Sequence, residues 1–247
     1  MVRINTVPDI TKKNDERIVD MTLKIALICI VGIAVDVCFI RAEYAGKMAK
    51  ATALKGMASF FFVLLGFLCY RENPSPFGKL VMIGLALGML GDILLNLRNQ
   101  FEGGKSMKIF AVGILAFLCG HFLYIAALLN RSGRILLTAI LVTAVLSVVA
   151  IPPLMKRITA PNKGLKVFGY VYLVTVIAMF SCAAVLLAMT GTTAANAVFT
   201  IGGLLFVVSD FIMIYYSFGK KIKPLRAINL LSYYTGQLLI AVCILLA

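Results

Sequence analysis

The stretch Lys79–Leu97, KLVMIGLALGMLGDILLNL, decides the fold. After its first lysine it is apolar apart from a carboxylate, Asp92, and an amide, Asn96. A run of this length matches what a helix needs to cross the hydrocarbon of a bilayer, about 20 residues. Its apolar residues form a block rather than a stripe on one face, as expected of a helix with lipid or other helices all round. Asp92 and Asn96 are four residues apart and share one helix face. A carboxylate in hydrocarbon costs about 2.5–3.5 kcal/mol even on the lenient insertion scale, so such residues turn to a bundle interior or a wet cavity.

The rest of the chain repeats the pattern. Of 247 residues, 62% are hydrophobic and 14% charged, with mean hydropathy +1.00. Soluble domains are close to half apolar and a quarter charged. Eight apolar spans are read at 23–40, 52–70, 79–97, 108–129, 135–151, 165–189, 197–218 and 227–246. Residues 1–22 read as a polar N-terminal tail and 23–247 as one eight-helix transmembrane domain. The tail mixes both charges and lacks a small-residue cleavage site, unlike a signal peptide. The expectation is an all-α, multi-pass integral membrane protein, in the cell membrane if the source is bacterial. Short loops make neighbouring spans antiparallel.

The net charge of +14 suggests nucleic acid in a soluble protein, but here Lys and Arg sit mostly between the apolar blocks. That is how membrane proteins fix topology and meet anionic lipid, so no nucleic-acid partner is expected. The loops after spans one, three, five and seven carry 14 Lys and Arg, against 9 in the tail and the other loops. This bias puts the first set in the cytoplasm and both termini outside. All six cysteines, Cys29, Cys38, Cys69, Cys119, Cys182 and Cys243, fall inside spans and read as small buried hydrophobes rather than a disulfide framework.

An internal echo divides the spans into two units of four. Ile83–Asp92, IGLALGMLGD, lines up with Ile201–Asp210, IGGLLFVVSD. The next helix carries GHFL at Gly120 in one copy and GQLL at Gly236 in the other, and the preceding helices carry Leu54–Lys55 and Leu165–Lys166. An even number of spans per unit gives both halves the same orientation. The competing explanation is chance similarity between apolar helices.

Three carboxylates lie within spans: Asp36, Asp92 and Asp210. Asp36, near the end of its span, is expected to reach interfacial water and ranks below the other two. His121, the one histidine, shares a face with Tyr124; it is either a functional group or a satisfied packing residue. Tyr172, Tyr233 and Gln237 also lie within spans, the last two on one face. Lys55 either snorkels to the interface or serves the site. Asp92, Asp210 and His121 are ligand types that suit zinc or iron, but no HExxH pair and no second histidine is present, so no metal or other cofactor is expected.

Lys55, GDILLN on the third span, GHFLY on the fourth, YLVTVIAM on the sixth, LLFVVSD on the seventh and YYTGQLLI on the eighth together resemble the YhhN-like family of membrane proteins, which includes the lysoplasmalogenases. The resemblance runs from about Lys55 to the C-terminus. It departs from the family pattern where Gly56 follows Lys55 in place of proline. It implies an eight-helix, cofactor-free hydrolase that cleaves the vinyl ether of lysoplasmalogens, with a lysophospholipid as substrate and membrane lipid as its surroundings. The products are a fatty aldehyde and a glycerophospho-base. The residues suit that chemistry. Hydrolysis of a vinyl ether needs an acid to protonate carbon, a negative charge beside the oxocarbenium ion, and a base for water. Two carboxyls in different surroundings divide such roles in glycosidases. Asp92 and Asp210 are the expected catalytic pair, with neither assigned as the acid. Lys55, Asn96, His121, Tyr124, Tyr172, Tyr233 and Gln237 are expected to bind or orient, Lys55 by holding phosphate. A proton-coupled or small-solute transporter is the rival reading, because aspartates in a duplicated bundle also serve transport.

Overall fold

The computed structural model describes residues 10–159 and 163–247, with side chains from Val19 onward except Lys163. It is 91% helical, with eight long helices and no strand among the described residues. They are α1 (Ile10–Tyr44), α2 (Met48–Glu72), α3 (Pro76–Leu97), α4 (Gly103–Arg131), α5 (Leu136–Met155), α6 (Lys163–Thr190), α7 (Ala194–Phe218) and α8 (Lys223–Leu246). All eight are long and apolar enough to cross a membrane. Helices satisfy every backbone polar group internally, which hydrocarbon demands.

Helix α1 begins well before the first apolar span. Residues 10–22 of the expected tail are therefore helical, while residues 1–9 lie outside the described residues. α5 runs through Pro152 and Pro153 to Met155, a few residues beyond its expected end. Local signals set other ends. Ser75 caps α3, its Oγ accepting the Gly78 N–H at 3.0 Å, and Pro76 follows at the first helical position, where its missing N–H costs nothing. Thr193 caps α7 in the same way through the Asn196 N–H. Asn73, between α2 and α3, donates to the carbonyls of Leu245 and Ala247 at 3.2 and 2.9 Å, satisfying acceptors that the end of α8 leaves open.

Two helix pairs pack most extensively, α3 with α4 and α7 with α8. Both close through glycines. A Cβ on Gly120 would lie 3.1 Å from the Gly84 carbonyl oxygen, and one on Gly236 would lie 2.8 Å from that of Gly202. Small residues let helix backbones approach in lipid, where no hydrophobic drive separates helix from solvent. Gly84 pairs with Gly202 and Gly120 with Gly236 in the sequence echo, so the two halves share this contact. Their neighbours also correspond: α2 packs on α8 across the halves, and α6 packs on α4. Not every contact has a counterpart: α1 and α3 also pack on α8, whereas α5 and α7 make no comparable contact with α4.

α6 and α8 are the most buried helices, and α1 and α5 the least. Leu23, Leu27 and Ile30 on α1, and Val145, Val148 and Val149 on α5, face outward, an apolar surface fit for lipid. Cys69, Cys182 and Cys243 are buried and Cys29 partly so, but Cys38 and Cys119 are exposed. The expectation that all six are buried fails for these two, because an apolar span places small side chains outward as readily as inward when the outer solvent is hydrocarbon.

Candidate functional site

α3 carries Asp92 into the bundle, where it is 2% exposed. Three donors from two other helices converge on it. The Lys55 ammonium on α2 lies 3.1 Å from Oδ1, and the Ser59 and Tyr233 hydroxyls each lie 2.7 Å from Oδ2. Lys55 and Ser59 are four residues apart on one face of α2, which is why both reach the same carboxylate. Lys55 does not snorkel: it is buried, and its charge is met inside the bundle. Behind Tyr233 a chain of hydrogen bonds crosses to α4. Gln237 Nε2 donates to the Tyr233 hydroxyl at 3.2 Å, and Gln237 Oε1 accepts from Tyr124 at 3.2 Å.

α7 carries Asp210, 4% exposed, with a sparser set of partners. Among the described residues one donor reaches it, the Tyr172 hydroxyl of α6 at 2.7 Å from Oδ2. Its neighbour Ser209 is engaged elsewhere, accepting from Asn229 Nδ2 at both Oγ and its carbonyl, each at 2.8 Å. Asn229 Oδ1 in turn accepts from Arg226, whose fork holds Glu43 of α1 by two bonds at 2.9 and 2.8 Å.

Asp92 and Asp210 face one cavity of about 330 Å³. Lys55, Asn96, Tyr172 and Tyr233 also line it. Asn96 Oδ1 accepts from Thr52 at 2.6 Å, and Thr52 Oγ accepts from Gln100 at 3.0 Å. The cavity continues toward the end of the bundle where α1, α3, α5 and α7 finish, past Arg98, Lys166 and Lys221.

The structure does not bring His121, Tyr124 and Gln237 to the cavity wall. His121 and Gln237, expected to bind or orient, lie behind its first layer. His121 Nδ1 is 2.7 Å from the Phe117 carbonyl, an acceptor that fixes the proton on that nitrogen. Its ring stands edge-on to Phe206 at 4.8 Å and to Tyr172 at 5.7 Å. Nε2 has no hydrogen-bond partner among the described residues. His121 thus supports the ring of the tyrosine that binds Asp210, and Gln237 supports the one that binds Asp92. Close aromatic packing fills the one-turn offset that separates these residues from the cavity.

Asp36 departs most from its expected place. It is 0% exposed, and neither carboxyl oxygen has a partner among the described residues. Its expected access to interfacial water is corrected: α1 packs on α2 and α8, and Asp36 is buried in the protein. The sequence reading also missed Ser59, Thr52 and Asn229. Ser59 was legible by its four-residue step from Lys55, whereas Thr52 and Asn229 are reached only through tertiary contacts. Among the described residues no group of three or more His, Cys, Asp or Glu is placed to hold a metal ion.

The family model described as YhhN family matches residues 51–244. The match covers α2 to α8, and with them both carboxyls of the cavity, but not Asp36. No curated protein and no solved structure matches the chain.

Proposed function

The chain belongs to the YhhN family, and from that membership and its paired carboxyls we propose that it is a lysoplasmalogenase-type hydrolase of vinyl-ether lysolipids. One observation carries the reading: Asp92 and Asp210 share a membrane-embedded cavity but have unlike partners. An ammonium and two hydroxyls balance Asp92 as a carboxylate. Asp210 has one neutral hydroxyl and no cation in hydrogen-bond contact among the described residues, surroundings that suit a carboxyl holding its proton. Asp210 is accordingly the acid and Asp92 the base.

The reaction then runs in three steps. The Asp210 O–H delivers its proton to the β-carbon of the vinyl ether, whose π electrons form the new C–H bond and leave an oxocarbenium ion. The Asp92 carboxylate stabilises that cation electrostatically, as fixed charges do best away from water. Water then adds to the α-carbon and gives a proton to Asp92. The resulting hemiacetal collapses with cleavage of the carbon–oxygen bond to glycerol, releasing aldehyde and alcohol. The collapse takes a proton from the hemiacetal hydroxyl and returns one to the leaving oxygen, so one water is consumed and both carboxyls are restored. Tyr172 and Tyr233 orient the two carboxyls, while Lys55 pairs with Asp92.

The test is aldehyde release from a 1-alkenyl lysophospholipid by detergent-purified protein, with and without exhaustive chelation. Aldehyde in stoichiometric yield with glycerophospho-base, unchanged by chelator, is expected. Solute binding or movement with no aldehyde would favour transport. Turnover lost to chelator and restored by one divalent metal would reassign the carboxyls as ligands.

A further inference from the structure

Lys55, the cation expected to meet a phosphate, is engaged by Asp92 deep in the bundle. A phosphate held there would compete with a catalytic carboxylate for one ammonium. The cavity supplies other cations at its outer end, namely Arg98, Lys166 and Lys221. Among the described residues none of the three has a carboxylate partner. Arg98 is the most fixed of them. It is partly buried, and its guanidinium lies 4.2 Å from the centre of the Phe110 ring. Stacking on a ring occupies the face of a guanidinium and leaves its edge of N–H donors free for two-point binding of an oxyanion.

The spacing suits a lysolipid. Arg98 follows Asp92 by six residues, and Lys166 precedes Tyr172 by six. Six residues of helix rise about 9 Å, so both cations stand about that far along the bundle from the carboxyls. In a 1-alkenyl glycerophospholipid, six single bonds separate the vinyl α-carbon from phosphorus, about 7 Å when extended. Cations on flexible stems bridge the remainder.

We propose that the outer end of the cavity is a phosphate subsite formed by Arg98, Lys166 and Lys221. It holds the phosphodiester of the substrate while the vinyl ether reaches Asp92 and Asp210. The subsite reads the phosphate and not the base attached to it. Glu43, the carboxylate lining that end among the described residues, is clamped at both oxygens by Arg226, so it offers little to a choline or ethanolamine ammonium.

This inference rests on the hydrolase reading, and its test separates the two. With full-length protein in detergent, 1-alkenyl glycerophosphocholine and glycerophosphoethanolamine of one chain length are compared with the phosphate-free 1-alkenylglycerol. The two phospholipids are expected to have similar KM, and 1-alkenylglycerol a kcat/KM at least about tenfold lower, equivalent to about 1.4 kcal/mol. Arg98→Gln and Lys221→Gln are expected to narrow that gap by raising KM for the phospholipids more than they lower kcat. Arg98→Lys keeps the charge but loses the fork, and serves if the glutamine variant does not fold. An unchanged gap in the variants, or a phosphate-free substrate as good as the others, overturns the subsite. If no substrate releases aldehyde, binding decides. Glycerophosphoethanolamine should raise the melting temperature of the wild type and do so less in Arg98→Gln. No shift in the wild type refutes the subsite. Inorganic phosphate that binds as well and displaces the glycerophosphodiester reassigns the cluster to a free anion.

Discussion

The two halves of the bundle share a glycine contact and surround their carboxyls differently. Asp92 stands eight residues after Gly84, and Asp210 eight after Gly202, in helices that pack on their neighbours through matching glycines. Yet Asp92 is met by an ammonium and two hydroxyls, while Asp210 meets one tyrosine. Part of the difference arises in the helix that precedes each, and part in α8, which gives Tyr233 to Asp92. α2 brings Lys55 and Ser59 to the carboxylate, whereas in α6 the matching Lys166 is exposed at the cavity mouth and Tyr172 makes the contact. Two helices, α2 and α8, supply the donors of Asp92, and one, α6, supplies that of Asp210. Unlike surroundings are one way in which paired carboxyls come to hold different protonation states.

The largest expected effects bear on that difference. Asp210→Asn and Asp92→Asn should each lower turnover by about 10²–10⁴-fold, the range for a lost acid or base, with Asp210→Asn toward the upper end because no second donor of its kind lines its side. Steady-state aldehyde release on folded variants measures this, and near-normal turnover in either one removes that residue from the mechanism. Next comes Lys55→Met, which strands the Asp92 charge. Breaking a buried pair by deleting one partner costs about 3–5 kcal/mol, so this variant should show a marked loss in resistance to denaturation in detergent. A variant as stable as the wild type would mean that Asp92 is not a buried carboxylate.

Smaller effects test the frame itself. Gly236→Ala puts a Cβ 2.8 Å from a backbone carbonyl that cannot turn aside, and is expected to cost about 1–3 kcal/mol as overpacking. Gly120→Ala meets the matching carbonyl at 3.1 Å and should fall at or below the bottom of that range. Denaturation midpoints that reverse the order would show that the halves do not close by the same contact. Tyr172→Phe is the mildest and the most informative about charge. If Asp210 holds its proton, the lost neutral hydrogen bond costs about 0.5–1.5 kcal/mol; a carboxylate stripped of its donor would cost about 1.5–3 kcal/mol. A loss in the higher range would exchange the roles of the two aspartates.

Asp92, Asp210 and the glycines eight residues before them were legible because polar groups inside apolar blocks stand out against a hydrocarbon solvent. Tyr172 and Tyr233 were visible for the same reason. Asp36 was misplaced because position along a helix does not say which face meets the neighbours, and α1 packs on α2 and α8 with Asp36 buried. His121, Tyr124 and Gln237 lie in the middle of spans as expected, yet behind the cavity rather than on it. Position along a helix fixes depth; rotation about its axis and the packing of neighbours fix whether a side chain reaches the lumen.

The amino-acid sequence by itself determined eight helices long and apolar enough to cross a membrane, and the place of Asp92 and Asp210 within them. These are one-dimensional quantities, set by run length and the cost of charge in hydrocarbon. Only the tertiary structure decided that Lys55 and Ser59 meet Asp92 while Tyr172 meets Asp210. Those contacts join residues dozens of positions apart, and they follow from how far each helix is turned and shifted against the next. That turn and shift come from the glycine contacts and ring packing between helices, which no single helix encodes.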